Sequence, residues 1–247
     1  MSDWTLHLGD CIEGMATLGD GSVDHVITDP PFEAEAHTQQ RRVKRGGGVM
    51  SIESLAFAPI TEVQRAAAAV HIARVTRRWA LVFCQIEAAH KWAFEMVKAG
   101  MIYKRTCIWV KPDGMPQYSG DRPGMGYETI VACHARGRSS WNGGGSHGVF
   151  HVNKNEVESE KTGHQTQKPV ALMELLVRLF TNRGETILDP FSGSGSTGVA
   201  ALRHGRRFVG WELNPEYRAA AERRLRGTRE QLDMFSTSPV EGDGSGG

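Results

Sequence analysis

Val23-Asp24-His25-Val26-Ile27-Thr28-Asp29-Pro30-Pro31-Phe32 is the stretch on which the reading of this chain turns. The apolar run from Val23 to Thr28 reads as a buried strand, and the two prolines end it because neither can donate to a ladder. The strand end then carries a carboxylate, two rigid carbonyls and an aromatic ring, a set of groups that suits a planar amino group. A second junction, Thr186-Ile187-Leu188-Asp189-Pro190-Phe191-Ser192-Gly193-Ser194-Gly195-Ser196-Thr197-Gly198, places a glycine turn at the opening of a helix. Glycines there let the backbone approach a ligand closely.

Working outward, Trp4 to Leu8, Ala80 to Cys84, Thr106 to Val110, Glu128 to Cys133, Glu185 to Leu188 and Arg207 to Trp211 are further short apolar or alternating runs that read as strands. Helical spacing separates several of them, over Gln64 to Thr76, Ala88 to Lys98 and Pro169 to Phe180. The alternation predicts an α/β fold with a mostly parallel sheet and helices on both faces. Four of the strands end in an acid, Asp10, Asp29, Asp189 and Glu212. In an open parallel sheet such ends share one edge, where ligands bind.

The chain has 247 residues, 40% of them hydrophobic, with 29 basic and 28 acidic side chains, enough for one sizeable core in a single domain. A near-neutral total argues against tight nonspecific binding of nucleic acid, so any such affinity rests on local patches. Cys11, Cys84, Cys107 and Cys133 lack CxxC spacing and read as buried thiols. No signal-like segment or run long enough to span a bilayer stands out, so a reducing cytoplasm is expected.

In this order the two junctions resemble the beta-class amino-methyltransferases of DNA, in which the catalytic tetrapeptide comes first, the target-recognition region next and the cofactor loop last. His164-Gln165-Thr166-Gln167-Lys168-Pro169 resembles the segment that precedes the family's loop. The resemblance implies a Rossmann-like, seven-stranded, circularly permuted sheet in which Trp4 to Leu8 lies beside Arg207 to Trp211. It implies a methyltransferase domain over residues 1–226 with a recognition region at 112–163; the polar, basic stretch 33–59 reads as a mobile DNA-contacting loop, and the loss of apolar periodicity from Gly227 reads as a disordered tail at 227–247. S-adenosylmethionine is the implied cofactor and double-stranded DNA the implied substrate.

The same resemblance distributes roles. Asp29, Pro30, Pro31 and Phe32 are catalytic; Asp10, Cys11, Asp29, Lys168, Asp189, Phe191, Gly193, Gly195, Thr197 and Glu212 form the cofactor side. Within it Glu212 meets the ribose, Asp10 and Cys11 lie near the adenine, and Lys168 meets the methionine carboxylate, the alternative being an exposed lysine before a helix. An exocyclic amine is a poor nucleophile because its lone pair is delocalised, so Asp29 and the Pro30 carbonyl are expected to accept its two N–H groups while Phe32 stacks on a flipped base. No metal is needed. No cysteine follows a proline, which sets cytosine-C5 chemistry aside, and no lysine follows the final glycine as a phosphate-binding P-loop requires. Gly193, Gly195 and Gly198 also satisfy GxGxxG, so an NAD(P)-dependent oxidoreductase is the rival for that segment. Asp at position 29 leans toward adenine N6, with cytosine N4 the nearest alternative.

For DNA contact, Arg41, Arg42, Lys44 and Arg45 precede a glycine run in the expected loop, and Arg122, Arg136 and Arg138 lie in the recognition region. A homodimer is open. In the tail, Gln231-Leu232-Asp233-Met234-Phe235 resembles the pentapeptide by which bacterial proteins dock on the replicative sliding clamp, with Leu232 and Phe235 as anchors; the alternative closes both onto the core.

Overall fold

The computed structural model describes residues 3–33, 43–45, 48–50, 58–114, 120, 123–154 and 167–237. In chain order the elements are β1 (Trp4–Leu8), α1 (Cys11–Ala16), β2 (His25–Thr28), β3 (Val43–Arg45), β4 (Gly48–Met50), α2 (Glu62–Val75), β5 (Trp79–Cys84), α3 (Ile86–Lys98), β6 (Ile102–Val110), β7 (Tyr127–His134), β8 (Val149–His151), α4 (Val170–Phe180), β9 (Thr186–Asp189), α5 (Ser196–Arg203), β10 (Arg207–Glu212) and α6 (Pro215–Thr237). Among the described residues the main sheet has eight strands in the order β1-β10-β9-β2-β5-β7-β6-β8.

From β1 through β10, β9 and β2 to β5 every neighbouring pair is parallel, so these strands send their carboxyl ends to one edge. β7 runs antiparallel to both β5 and β6, and β8 lies parallel to β6. The implied permutation stands: β1 pairs with β10 in a register that sets Leu8 opposite Glu212. All seven strands expected from the sequence are present. The eighth, β8, is only three residues long and too short to show as a periodic run. The first half of β6 escaped for a different reason: Ile102–Arg105 is exposed at the sheet margin, so it lacks an apolar signature.

Side chains alternate across strands covered on both faces. Ile27, Leu81 and Phe83 join Leu172, Leu176, Val199 and Leu225 from α4, α5 and α6 on one side. Val26, Ala80 and Val82 join Met15, Ile72, Trp92 and Met96 from α1, α2 and α3 on the other. Helix α2 starts sharply because Thr61 and Gln64 form a reciprocal cap, with Gln64 N–H donating to Thr61 Oγ1 at 3.2 Å and Thr61 N–H to Gln64 Oε1 at 3.0 Å. Cys11, Cys84, Cys107 and Cys133 are buried free thiols, as expected. No helix among the described residues is long and apolar enough to cross a membrane.

Two expectations change. The antiparallel pair β3/β4 stands inside the stretch 33–59 read as a loop, and Lys44 and Arg45 fall on β3; Arg41, Arg42 and Arg122 lie outside the described residues. The tail does not begin at Gly227, because α6 continues to Thr237. Leu225, Thr228 and Leu232 recur at helical spacing; Thr228 is buried and Leu232 packs against the core, while Arg229 pairs with Asp3 and, at 3.1 Å, with Asp233. Leu232 is thus a core contact rather than a free anchor for a clamp. Replacing Leu232 with Ala should lower stability by about 1 kcal/mol, seen as a lower urea midpoint; a detached tail would leave the midpoint unchanged.

Candidate active site

β2 is buried along its whole length between β5 and β9, and Pro30-Pro31 stops it at the carboxyl edge. Asp29 therefore stands where the ladder ends. Its two oxygens differ: Oδ2 accepts from Lys168 Nζ at 2.5 Å, while Oδ1 is buried and, among the described residues, accepts no hydrogen bond. Phe32, half-buried, follows two residues after Pro30, with Lys168 Nζ 5.5 Å from its ring centroid.

Lys168 itself belongs to a string of alternating charge. Its ammonium lies 3.3 Å from Glu128 Oε2, and Glu128 Oε1 accepts from Lys111 Nζ at 2.6 Å. Lys111 comes at the end of β6, Glu128 at the start of β7 and Lys168 just before α4, so three elements converge on Asp29. Burial lifts the Asp29 carboxyl above its ordinary range, and Lys168 pulls it back down. Burial also opposes the charges on Lys168 and Glu128, but the partners prevail: Lys168 is raised and Glu128 lowered.

The glycine turn is organised by Asp189, which ends β9 and is 3% exposed. Oδ1 accepts from Thr28 Oγ1 at 2.7 Å and from the Phe191 N–H at 3.1 Å, and Oδ2 accepts from Thr197 Oγ1 at 2.6 Å. Burial pushes Asp189 up to about 6 despite these donors. Gly193 and Gly195 take positive φ, and at Gly195 a Cβ would come 3.0 Å from that of Ala221. Across the edge, Glu212 receives the Gly193 N–H on Oε2 and the Asn214 N–H on Oε1, both at 2.8 Å, which sets its carboxylate beside the turn. Asp10 caps α1 next to it, accepting from the Ile12 N–H at 2.7 Å.

A family model described as DNA methylase matches residues 23–223. The chain belongs to the DNA methylase family of N6 and N4 amino-methyltransferases. It is 25% identical to the type II methyltransferase M.HinfI of Haemophilus influenzae, over 90% of this chain and 68% of that protein. Among solved structures, the M1.HpyAVI–SAM complex aligns with a TM-score of 0.68 at 25% identity, covering 90% of this chain and 98% of the other. The cytosine-N4-specific PvuII DNA methyltransferase shares the fold, with a TM-score of 0.72 at 17% identity over 96% of this chain and 92% of its own.

Against that family background, the structure sorts the residues singled out from sequence. Asp10, Asp29, Asp189 and Glu212 do share the carboxyl edge of β1, β2, β9 and β10. Asp189 and Thr197 are buried and hydrogen-bonded to each other, and so hold the turn together. Cys11, the first residue of α1, is buried, its thiol pushed up to about 12 chiefly by burial, and Phe191 packs on the same core cluster. Lys168 pairs with Asp29 and with Glu128. Arg136 and Arg138 stand apart from that edge: β7 runs antiparallel to β5, so the loop after His134 lies at the opposite edge of the sheet, where the Ala135 N–H donates to the Arg78 carbonyl. Glu128 and Lys111 were missed. Their one sequence signal is a charged residue at the margin of an otherwise apolar strand.

The raised value of Asp189 has a signed consequence. Below its unfolded value of 3.8 the group is protonated in both states and costs nothing; above about 6 it is ionised in both and the full penalty is present. Wild type should therefore lose stability relative to Asp189→Asn as pH rises between those limits, by on the order of 3 kcal/mol at most. Paired urea titrations across the range measure the difference; parallel pH profiles would show that Asp189 titrates normally.

Proposed function

We propose that this protein transfers a methyl group from S-adenosylmethionine to N6 of an adenine turned out of double-stranded DNA. The observation that carries the reading is Asp29 Oδ1, a buried acceptor without a hydrogen-bond partner among the described residues, at the end of β2 and three residues before Phe32. S-adenosylmethionine is the methyl donor. The residues present fit it: the donor is a sulfonium cation, and Asp10, Asp29 and Glu212 make this edge acidic. Glu212 spends each oxygen on one backbone N–H and retains lone pairs for ribose hydroxyls.

S-adenosylmethionine supplies an electrophilic methyl carbon. The rest is done by this chain. Phe32 stacks on the extruded base and returns roughly 1 to 3 kcal/mol of the cost of unstacking it. Asp29 Oδ1 accepts one N–H of the amine and the Pro30 carbonyl the other, drawing the nitrogen toward a pyramidal geometry and freeing its lone pair. As the nitrogen gains the methyl group it sheds a proton, for which Oδ1 is the placed acceptor. The carboxylate at position 29 supports adenine over cytosine. Arg41, Arg42, Lys44 and Arg45, which follow the catalytic turn in sequence, contact DNA phosphates.

Two outcomes are expected. Asp29→Ala should reduce methyl transfer to DNA by at least about 10²-fold with donor affinity little changed, and digestion of DNA modified by the wild type should release N6-methyladenine. Retained turnover would remove Asp29 from the chemistry, and N4-methylcytosine would overturn the choice of base. Alanine at Arg41, Arg42, Lys44 and Arg45 together should flatten the slope of log binding constant against log salt by about 0.9 for each phosphate no longer neutralised; an unchanged slope would place the DNA elsewhere.

A further inference from the structure

We propose that Lys168 is a positioning residue for methyl transfer: by gripping Oδ2 of Asp29 and bracing against Glu128, it reserves Oδ1 for the substrate amine. The inference rests on the role given to Asp29 above. A free carboxylate presents two equivalent oxygens and rotates between them. Here one oxygen is tied at 2.5 Å and the other, buried, accepts no hydrogen bond among the described residues, so the unpaired acceptor has a fixed direction before any base arrives.

The ammonium has a hydrogen bond, an ion pair and two aromatic rings around it. It donates to Asp29, faces Glu128 at 3.3 Å, and lies 5.5 and 5.2 Å from the centroids of the Phe32 and Phe83 rings. A single charge thus touches the amine acceptor, its brace and the ring on which the base stacks. Lys168 is 8% exposed, and a buried ammonium persists only when paired. Lys111 completes the set by holding the far oxygen of Glu128, so the four groups sum to zero charge. Pro169, which immediately follows, fixes the backbone as the chain enters α4. The charged and titratable groups that act on or feel Asp29 are Lys168, Glu128, Lys111, Asp189 and Cys84.

In the reaction a nitrogen–carbon bond forms while the carbon–sulfur bond breaks, its electron pair leaving on sulfur as a neutral thioether. The nitrogen gives one proton to Asp29 Oδ1, from which it passes to water. The step requires Asp29 to be ionised at the outset. Burial already favours its protonated form, and Lys168 is the strongest opposing charge, so loss of the ammonium moves the acid limb of the rate to higher pH. Glu128 acts on Asp29 in the opposite sense, so its neutralisation moves the limb down.

The test compares wild type with Lys168→Met, Lys168→Arg and Glu128→Gln. Single-turnover methyl transfer is followed across about pH 5 to 9, with donor affinity and the carbon-13 NMR titration of the Asp29 carboxyl measured alongside. Lys168→Met should lose about 10²-fold in rate at neutral pH and move the acid limb up by about one unit or more, with donor affinity within about threefold of wild type. Lys168→Arg should restore the limb while recovering only part of the rate, and Glu128→Gln should shift the limb down. If Lys168→Met fails to fold, a limb at the wild-type position in Lys168→Arg together with a lowered limb in Glu128→Gln decides the matter. An unmoved limb and an unmoved Asp29 titration would reduce Lys168 to a packing role. Weakened donor binding with an unchanged rate at saturation would return Lys168 to the cofactor carboxylate. Absence of DNA methylation by wild type would sink the reading of function, while the NMR titration, which needs no substrate, would still judge the Lys168–Asp29 coupling.

Discussion

The buried carboxylate of Asp189 is the joint on which this molecule depends. It ends β9 and reaches in three directions at once: to Thr28, the last residue of β2, to the backbone at Phe191, and to Thr197 in the first turn of α5. Thr28 is followed directly by Asp29, so the turn that carries Asp29 to Phe32 and the turn that carries the glycines are tied through one side chain. Burying an acid is unfavourable, and its raised value near 6 records that cost. Three donors to one carboxylate offset much of it and hold two ligand-binding turns in fixed relation.

Around that joint the parallel pairing does the gross placement. Strands β1, β10, β9 and β2 deliver Asp10, Glu212, Asp189 and Asp29 to one edge because they point the same way, and a carboxyl edge so lined suits a cationic donor. The antiparallel entry of β7 then brings Glu128 to the same edge from the opposite chain direction, and Lys111 arrives at the end of β6. The charges of Asp29, Lys168, Glu128 and Lys111 come from widely separated parts of the chain. Each makes sense only beside the next, since none would remain charged in that interior alone.

Much of the fold was legible in the sequence. Strands buried on both faces, such as β2 and β5, are continuous apolar runs, and the prolines at 30 and 31 and the glycines at 193 and 195 mark where backbone must stop or turn. The elements that escaped notice were those without such a signature: β8 with three residues, the exposed half of β6, and the end of α6, where Gly227 and a polar composition hid the helical spacing of Leu225, Thr228 and Leu232. That Arg136 and Arg138 lie at the opposite edge from Asp29 could not be read from the sequence, which says nothing of strand direction.

By itself the sequence determined the strand ends, the acids they carry and the nature of the two turns, because these follow from local rules: a proline cannot donate, a glycine can adopt positive φ, and an apolar run must be buried. Only the tertiary structure decided which oxygen of Asp29 goes without a hydrogen bond among the described residues, that Lys168 pairs with Asp29, and that Asp189 binds the two turns to each other. Those outcomes depend on distances between residues more than a hundred positions apart. Packing of separate elements sets such distances, and no periodicity along the chain records them.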